Sequence, residues 1–361
     1  MPTVKNINSL KYFLNRFPTI DPGFDYTVNY HKKINGRFSS LPTFVAEFFD
    51  CKVHSCPCLI TNENHMITNH VWNLTHQRKN KPNKTHGLWN NWGDMIEIKL
   101  PPVTKNFNET YTYVWLPIDE ESANNPWHVW IDMVSKFRLI EKRWSTLFSN
   151  YVFVLPNPSA YFDKIAKEFF TDLKYIVMPK NETWQFKHLI VPSASNHNDG
   201  VITPHLAVWL RARKNFLKLN SNTKRKIFIS REDAKTRKLL NAEKLMMALK
   251  GWDAVTLEKL SIREQVQCFS EASHVVSTHG AGLVNLLWCN AGTKVIEIQD
   301  PNMIGKKVYP VLSNHLGLKH ELYLAKTVPI QIKGNKPKGI KRLNDLINFE
   351  VDVPDLIRHL D

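Results

Sequence analysis

The sequence predicts an α/β protein of two domains. Short apolar runs typical of strands alternate with amphipathic helical stretches in residues 151–192 and again in residues 226–298, which indicates parallel sheets covered by helices. The chain has 361 residues, which is enough for two domains of ordinary size. We place the boundary at the polar loop 193–203, so that the predicted domains span residues 1–200 and 201–361.

The first domain is predicted to contain a small antiparallel meander over residues 44–61. Its apolar runs are short and separated by turn-forming residues, with Asp50 at the first turn and Asn62 at the last. Farther along, an amphipathic helix is predicted over Tyr161–Leu173. The further predicted strands of this domain are Val114–Pro117, Tyr151–Val154, Tyr175–Met178 and Leu189–Pro192.

A histidine and an aspartate stand four residues apart where a helix is predicted to begin. The segment Asn125–Asp132 leads into the apolar-periodic run Met133–Leu147, and a spacing of four places His128 and Asp132 on one face of a helix. An imidazole and a carboxylate in that position can share a proton or orient each other, so the pair is a candidate general base. The alternative is a pair that only stabilises the helix.

The second domain is predicted to contain five strands with helices between them. Ser261 and Glu264 have the spacing of a capping box, which marks the start of one helix. A terminal helix over Asp355–Leu360 could cross back to the first domain. The predicted strands are Lys226–Ile229, Asp253–Leu257, His274–Ser277, Val295–Ile298 and Leu322–Leu324, and the other predicted helices are Pro204–Leu217, Leu239–Leu249, Leu283–Trp288 and one that starts at Tyr309–Leu312.

A glycine-containing turn, Thr278–Gly282, joins one of these strands to the helical run that begins at Leu283. In parallel sheets, ligands bind at the carboxyl ends of the strands, where the next helix offers unpaired N–H groups and a partial positive charge to a phosphate. Gly280 and Gly282 would let the backbone approach a ligand closely and take positive φ. The turn matches no standard phosphate-binding motif, so a tight turn without a ligand is the alternative.

Polar residues follow the other strands at the same predicted edge. Ser230 and Arg231 end one strand, Glu258 ends another, and Glu297 lies in a fourth. An arginine there can hold a diphosphate through paired hydrogen bonds, and a carboxylate can accept from the hydroxyls of a ribose. Because the chain has no Asp-x-Asp pair to hold a divalent metal, Arg231, His279 and helix N–H groups would bind the diphosphate. We therefore predict a nucleotide ligand, with neither a metal nor another cofactor.

The net charge of +15 indicates a polyanionic partner, which could be a nucleic acid, an anionic membrane surface or a phosphorylated small molecule. The charge is densest between Arg211 and Lys238 and forms no long basic tail, which argues against a disordered nucleic-acid arm. The sequence contains neither an apolar run long enough to span a membrane nor a signal-peptide pattern. We expect a cytoplasmic protein that could associate peripherally with a membrane.

The five cysteines, an odd number, fit a reducing compartment. Cys51, Cys56 and Cys58 cluster around His54, but their spacing matches no common zinc pattern. We therefore predict that the cluster binds no metal.

Three segments of the second half carry a family resemblance. They are RKIFISREDAKTRKLLNAEKL, VTLEKLSIREQVQCFSEASHVVSTHGAGLVN and AGTKVIEIQDP. In this order and at these separations they resemble glycosyltransferase family 61, which includes O-mannose and EGF-domain N-acetylglucosaminyltransferases, plant β-1,2-xylosyltransferases and bacterial capsular polysaccharide enzymes. The resemblance covers residues 224–301 well, and VAEFFDCKV and Asn125-x-x-His128-x-x-x-Asp132 resemble the family less specifically.

The resemblance implies a GT-B architecture, in which two Rossmann-like domains face each other across a cleft. The second domain would hold a nucleotide sugar, usually UDP-linked, and the first would present the acceptor, a glycan or glycolipid hydroxyl. Transfer would invert the anomeric carbon by a single displacement. The lack of an anchor or secretion signal, unlike the eukaryotic members, would favour glycan building in the cytoplasm.

The resemblance also implies roles for particular residues. Arg231 and the turn at His279 would contact the diphosphate, and Glu297 would contact the ribose. Leu257 and Glu258 would lie near the nucleobase. Asp132 or His128 would be the general base. The complete set of expected donor-binding residues is Ser230, Arg231, Arg237, Leu257, Glu258, Thr278, His279, Gly280, Ala281, Gly282, Leu283 and Glu297.

Three other functions are alternatives. A nucleotide-sugar epimerase or hydrolase would need a dinucleotide fingerprint or a metal cluster, and the sequence contains neither. A basic nucleic-acid-binding protein would bind DNA or RNA with steep salt dependence. A family relative could also bind the nucleotide sugar without turning it over.

Overall fold

The structure is a computed structural model that divides into two compact units. Contacts within the chain group Met1–Tyr26 with Ser39–Leu206, and Thr27–Phe38 with Ala207–Asp361. The boundary predicted at residue 200 falls outside the described residues and stays a prediction. The structure describes residues 3–7, 15–21, 25–31, 34–39, 42–55, 58–63, 65–67, 89–92, 95–98, 100–108, 110–118, 122–144, 151–157, 159–193, 202–219, 224–232, 234–303, 307–330 and 347–360.

The first half of the chain contains the strands β1 (Thr3–Ile7), β2 (Thr19–Asp21), β3 (Asp25–His31), β4 (Ile34–Ser39), β5 (Thr43–His54), β6 (Cys58–Ile60), β7 (His65–Ile67), β8 (Trp89–Trp92), β9 (Met95–Ile98), β10 (Val103–Phe107), β11 (Thr112–Trp115), β12 (Tyr151–Leu155), β13 (Lys174–Val177) and β14 (Thr183–Pro192). Strand β3 pairs with β4. Over the described residues, the others form a twelve-stranded sheet in the order β13-β12-β11-β14-β5-β6-β7-β1-β9-β8, with β10 on β14 and β2 on β5.

This sheet has a parallel part and an antiparallel part. Strands β11, β12 and β13 are parallel neighbours, and β14 is parallel to β11. Strand β5 runs antiparallel to β14 and continues into the antiparallel meander β5-β6-β7. The predicted α/β class and the meander are confirmed, but the turn predicted at Asp50 is wrong. Strand pairing continues through Asp50, whose φ is 51°.

The helix predicted over Met133–Leu147 is broken into segments. They are α1 (Pro126–His128), a π-helical turn (Val129–Met133), a 3-10 turn (Val134–Lys136) and α2 (Phe137–Trp144). The Asn125 side chain caps α1 by accepting from the Trp127 N–H at 3.0 Å. The Ser135 hydroxyl donates to the Ile131 carbonyl four residues earlier, which competes with the regular helical bonds and favours bending. Helix α3 (Ala160–Phe169) follows, where a helix is predicted over Tyr161–Leu173.

The second unit is built on a parallel sheet of five strands, at least over its described residues, in the order β16-β15-β17-β18-β19. These strands and the hairpin that follows are β15 (Arg225–Ile229), β16 (Asp253–Val255), β17 (Ala272–Thr278), β18 (Lys294–Gln299), β19 (Lys319–Leu324), β20 (Lys326–Pro329) and β21 (Ile347–Glu350). The helices of this part of the chain are α4 (Pro204–Ala212), α5 (Ala242–Ala248), α6 (Ile262–Ser270), α7 (Val308–His315) and α8 (Val353–Arg358), with 3-10 turns at Arg213–Leu217, Leu257–Lys259, Ala281–Trp288 and Pro301–Met303.

Several predicted elements of the second unit need correction. The run after the glycine turn is a 3-10 helix, and the strand predicted to reach Leu257 ends at Val255. The capping box of Ser261 and Glu264 is confirmed. Helix α8 packs in the core of the second unit through Val353 and Leu356, and whether it also crosses back to the first unit stays a prediction. No helix among the described residues is long and apolar enough to cross a membrane.

A buried ion cluster ties α2 to the edge of the large sheet. The Asp21 carboxylate accepts from both Nη atoms of Arg138, from Lys142 Nζ at 2.7 Å and from Thr43 Oγ1 at 3.3 Å. Burial would raise the pKa of Asp21, but the hydrogen bonds and positive charges of Arg138 and Lys142 outweigh burial and lower it to about 2. The ionised carboxylate is therefore the form that stabilises this unit.

Replacing Asp21 with asparagine should destabilise the protein by about 3 kcal/mol at pH 7, because the buried Arg138 then loses its counter-charge. Since the pKa of Asp21 falls from 3.8 to about 2 on folding, its stabilisation is present above about pH 4 and is lost as the pH falls toward 2. Urea unfolding of wild type and Asp21→Asn between pH 2 and pH 7 should show curves that converge at acid pH.

Glu350→Gln is the matched control, since Glu350 forms an exposed ion pair with Lys326. Its loss should cost less than about 1 kcal/mol. Equal destabilisation by the two variants at pH 7 would contradict the importance of the Asp21 cluster.

Candidate active site

Parallel pairing brings the predicted donor-binding residues to one edge of the five-stranded sheet. Ile229 pairs with Ser277, and Ser277 pairs with Glu297, so the ends of β15, β17 and β18 lie side by side. Ser230 therefore stands directly beside Thr278 at the carboxyl edge. This is the edge at which open parallel sheets bind ligands.

Two arginines meet at this edge above the glycine turn. The Arg231 guanidinium lies so close to Gly280 that a Cβ on this glycine would collide with Nη1 of the arginine. Arg237 Nη1 donates to the His279 carbonyl at 3.1 Å. In the described part of the chain, the Nε atoms of both arginines are buried and lack a hydrogen-bond partner. Burial, and after it the nearby positive charge of Arg237, lower the pKa of Arg231 to about 10.

The glycines of the turn are needed for space. Gly280 has an extended backbone with φ 176°, so the positive φ expected there is wrong. Gly282 lies against Leu257, whose Cδ1 would be 2.7 Å from an added Cβ. Glycine at these two positions lets Arg231 and Leu257 approach the turn from two sides.

A series of buried hydrogen bonds holds the His279 ring in place. His279 Nδ1 is bonded to Glu297, whose other oxygen lies 3.0 Å from His320 Nε2, and the Ser313 hydroxyl lies 2.7 Å from His320 Nδ1. Gln299 Nε2 also donates to Glu297 at 2.9 Å. Burial would raise the pKa of Glu297, but the two histidines outweigh it and lower the pKa to about 2. The Glu297 carboxylate thus has histidine partners in place of the ribose hydroxyls that the sequence predicted.

The ring of His279 also packs edge-on against Tyr309, with centroids 5.2 Å apart. Burial raises the pKa of the Tyr309 hydroxyl, and the Glu297 charge raises it further, while Arg237 and Arg231 oppose them. The phenol is therefore neutral at physiological pH. Neither Tyr309 nor His320 stands near a recognisable motif, so only the fold could reveal these two neighbours.

A second network holds the Leu257–Lys259 turn against the glycine turn. Gln265 Nε2 donates to the Leu257 carbonyl at 3.0 Å and to that of Leu260 at 3.2 Å. Asn285 Nδ2 donates to Gln265 Oε1 at 3.0 Å and to the Gly282 carbonyl at 3.1 Å. Gln265 and Asn285 belong to the segments that resemble family 61. In the structure their hydrogen bonds hold the two turns together. Leu257 is buried, and the Glu258 charge partly offsets the effects that lower the pKa of Arg231.

The last strand of the chain supports Arg237. The Arg237 N–H donates to the Ile347 carbonyl at 2.6 Å, and the Leu240 N–H donates to the Phe349 carbonyl at 2.8 Å. From the other side, the Thr278 hydroxyl donates to the Arg237 carbonyl at 3.0 Å. These bonds hold Arg237 at φ 59°, a left-handed conformation that is uncommon for arginine.

A cavity of about 220 Å³ opens beside Arg231. It has a charged side and an apolar side, as expected of a site for a polar ligand with an apolar part. Its lining residues are Phe228, Ile229, Ser230, Arg231, Glu232, Lys238, Leu239, Leu240, Ala242 and Thr278.

The predicted general base lies in the first unit. His128 Nδ1 and Asp132 Oδ2 are 2.7 Å apart, at the junction of α1 and the π-helical turn, and both side chains are partly exposed. Single π-helical turns are frequent at functional sites. Lys136 is buried in the same distorted helix, and its burial lowers its pKa to about 8 against the opposing Asp132 charge. The burial of Lys136 beside this pair could not be predicted from the sequence, because a lysine in an amphipathic run is usually exposed.

Three or more histidine, cysteine or acidic side chains do not come together as a metal site anywhere in the described ranges. Cys51 is buried with a free thiol, and burial raises its pKa to about 12. Cys56 lies outside the described residues, as does the side chain of Cys58. Metal independence therefore stays a prediction.

Comparison with known families decides the class of the protein. The Glycosyltransferase 61 family model matches residues 127–296. Residues 127–296 of the chain form a glycosyltransferase family 61 domain. The protein is accordingly a glycosyltransferase, which implies a sugar donor and a glycan acceptor. No curated protein matches the chain significantly. The family 61 match begins next to His128 and ends one residue before Glu297, so it contains every other predicted site residue.

Replacing Gly280 with alanine should displace Arg231 without unfolding this family 61 protein, because the added methyl meets the end of a flexible side chain. If Arg231 binds a diphosphate as the sequence predicts, the affinity for inorganic pyrophosphate should fall roughly tenfold or more, since a charge-assisted bidentate contact would be lost. The melting temperature without ligand should change by less than about 3 °C. Calorimetric titration and thermal unfolding measure the two quantities.

The Arg231→Ala background provides the control for Gly280→Ala. If the glycine acts through this arginine, the second substitution should add little to the loss caused by the first. Fully additive losses of affinity would show that Gly280 has a role independent of Arg231.

Proposed function

We propose that the protein is an inverting glycosyltransferase that moves a sugar from a UDP donor to the hydroxyl of a glycan or glycolipid. The observation that carries this proposal is the pair of partly buried arginines, Arg231 and Arg237, beside the glycine turn. Two neighbouring guanidinium groups with unpartnered Nε atoms are suited to a ligand with two adjacent anionic groups. A diphosphate at the carboxyl edge of a parallel sheet meets that requirement.

The architecture proposed for this reaction is GT-B. The two α/β units described above would be its two Rossmann-like domains, with the donor on the second and the acceptor on the first. The parallel five-stranded sheet of the second unit and the parallel strands β11–β14 of the first support that assignment. In the same proposal, Leu257 and Glu258 lie near the nucleobase of the donor.

Chemistry would begin with removal of the acceptor proton. The Asp132 carboxylate takes the proton as the hydroxyl oxygen attacks the anomeric carbon, and the bond from that carbon to the phosphate oxygen breaks on the opposite side. The electron pair of the broken bond leaves with UDP, and the new bond has the inverted configuration. His128, held 2.7 Å from Asp132, orients the carboxylate. The reverse assignment, with His128 as the base, is the alternative.

Charge develops on the departing diphosphate, and its stabilisation is expected to be the largest contribution to catalysis. Arg231 and Arg237 supply the positive charge that a divalent metal supplies in many other nucleotide-sugar enzymes, so the proposed reaction needs no metal. Glu297 acts indirectly, because it holds the His279 ring through Nδ1. The buried Ser313–His320–Glu297 chain keeps that ring from rotating when the ligand binds.

A cytoplasmic location, a lipid-linked acceptor and peripheral attachment to a membrane are further parts of the proposal. They are supported by the net charge of +15, since a basic surface is attracted to anionic headgroups. Binding of a nucleic acid is the alternative that the same charge allows.

UDP should stabilise the protein in the presence of EDTA. At a hundredfold excess over its dissociation constant, a ligand stabilises the folded state by about 2.7 kcal/mol, which should raise the melting temperature by several degrees. Arg231→Ala should remove most of this shift. Random oligonucleotides are the control, and stabilisation by any polyanion to the same extent would favour the nucleic-acid alternative.

Asp132→Asn should lower turnover by orders of magnitude and leave the stabilisation by UDP unchanged, because the carboxylate serves the chemical step and not donor binding. Activity is measured as transfer, or as slow hydrolysis of members of a panel of nucleotide sugars. His128→Ala is the paired variant. Should Asp132→Asn keep full activity while His128→Ala loses it, the base is the histidine.

A further inference from the structure

Strands β5 and β14 reverse their side-chain alternation at the same place. In a regular strand, residues two apart share a face, yet Phe48 and Cys51 are three apart and both enter one core cluster. Across the ladder, Phe186 and Leu189 are likewise three apart and enter the same cluster. The pairs between them, Phe49 with Asp50 and Lys187 with His188, are consequently turned away from that core.

The backbone of β5 is strained where this reversal occurs. Asp50 has φ 51°, a left-handed conformation that is unfavourable for a non-glycine residue. No chain reversal requires it, since Phe49 pairs with His188 on one side and Cys51 pairs with Phe186 on the other. What the strain achieves is to place two successive side chains of each strand outside the core.

The side chains brought together form a platform with polar edges, which we call the Phe49 patch (Glu47, Phe49, Asp50, Lys187 and His188). Phe49 is 55% exposed, and the His188 ring is stacked on it with centroids 4.7 Å apart and planes 6° apart. His188 Nε2 lies 3.1 Å from the Glu47 carboxylate, and Lys187 Nζ donates to both oxygens of Asp50 at 2.9 and 3.1 Å. Every polar group is therefore held in a fixed orientation beside the exposed ring.

Charge separates the possible ligands. The chain as a whole carries +15, but the Phe49 patch contains two carboxylates and one lysine. A surface of this composition does not favour phosphates, nucleic acids or anionic lipids. An exposed aromatic face beside fixed carboxylate and imidazole groups suits a neutral ligand with one apolar face and several hydroxyls around its rim.

We propose that the Phe49 patch binds a neutral pyranose unit of the acceptor glycan, with the C–H face of the sugar against Phe49 and its hydroxyls on Glu47 and Asp50. This inference rests on the proposed function, since it assigns to the first unit an acceptor contact beyond His128 and Asp132. The patch acts in binding and takes no part in the chemical step.

The test compares Phe49→Leu with Phe49→Tyr in the full-length protein. Leucine keeps the apolar character and removes the ring, whereas tyrosine keeps the ring face. Binding is measured without donor on an array of neutral hexose and N-acetylhexosamine oligosaccharides, and dissociation constants for the best-bound oligosaccharide are then determined in solution. We expect Phe49→Leu to weaken binding roughly tenfold, which corresponds to about 1.4 kcal/mol, because the stacking face is lost. Phe49→Tyr should stay within about threefold of wild type, because it keeps that face.

Stabilisation by UDP, measured on the same samples, separates this proposal from the proposed function. Both variants should retain the UDP-induced rise in melting temperature, which also shows that they are folded. Wild-type protein that binds no neutral oligosaccharide, or Phe49→Leu that binds as tightly as wild type, would overturn the assignment of the patch. Oligosaccharide binding that depends on Phe49 in a protein that UDP does not stabilise would support the patch and count against the proposed donor.

Discussion

The approach of the Arg231 guanidinium to the backbone of Gly280 is the contact on which the proposed donor site depends. It brings a charged group directly over the glycine turn, next to a second cation, Arg237. Like charges repel strongly where burial limits their contact with water, so the fold must hold both arginines against that repulsion. A site organised in this way favours an anion with more than one negative group.

The surrounding structure serves to keep the two arginines in place. Parallel register sets the depth of Arg231 at the sheet edge, the Gln265–Asn285 network packs the Leu257 turn beneath the glycines, and β21 holds Arg237. The residues of the segments that resemble family 61 therefore divide into two groups. Some would meet the ligand, and others, such as Gln265 and Asn285, only shape the turn that does.

Much of this arrangement could be predicted from the sequence, because it follows from local rules. Apolar runs, a capping box and a glycine turn after a buried strand are enough to place the five-stranded sheet and its carboxyl edge. The proximity of Arg231 to the turn follows from parallel pairing alone. In the first unit, the spacing of His128 and Asp132 predicted their contact, which the π-helical turn preserves.

What the sequence could not predict depends on partners distant in the chain. Glu297 was expected to face a ribose, but His320 and His279 reach it only once β18 and β19 pair. The turn expected at Asp50 was wrong, because the chain continues there as a strand. Aspartate adopts the left-handed conformation both in turns and within this strand, so its presence in the sequence does not distinguish the two. The helix after His128 is broken where the Ser135 hydroxyl donates to the Ile131 carbonyl. The spacing of apolar residues in the sequence does not predict such a hydrogen bond.

The anchoring of Arg237 by Ile347–Glu350 also bears on how the enzyme comes into being. A nascent chain that has just completed residues 127–296 has the glycine turn and Arg231, but not the strand that holds the second arginine. The proposed binding site for a nucleotide sugar can be completed only after that strand has left the ribosome. Synthesis from the amino end therefore delays completion of the proposed donor site until residues 347–350 have been made.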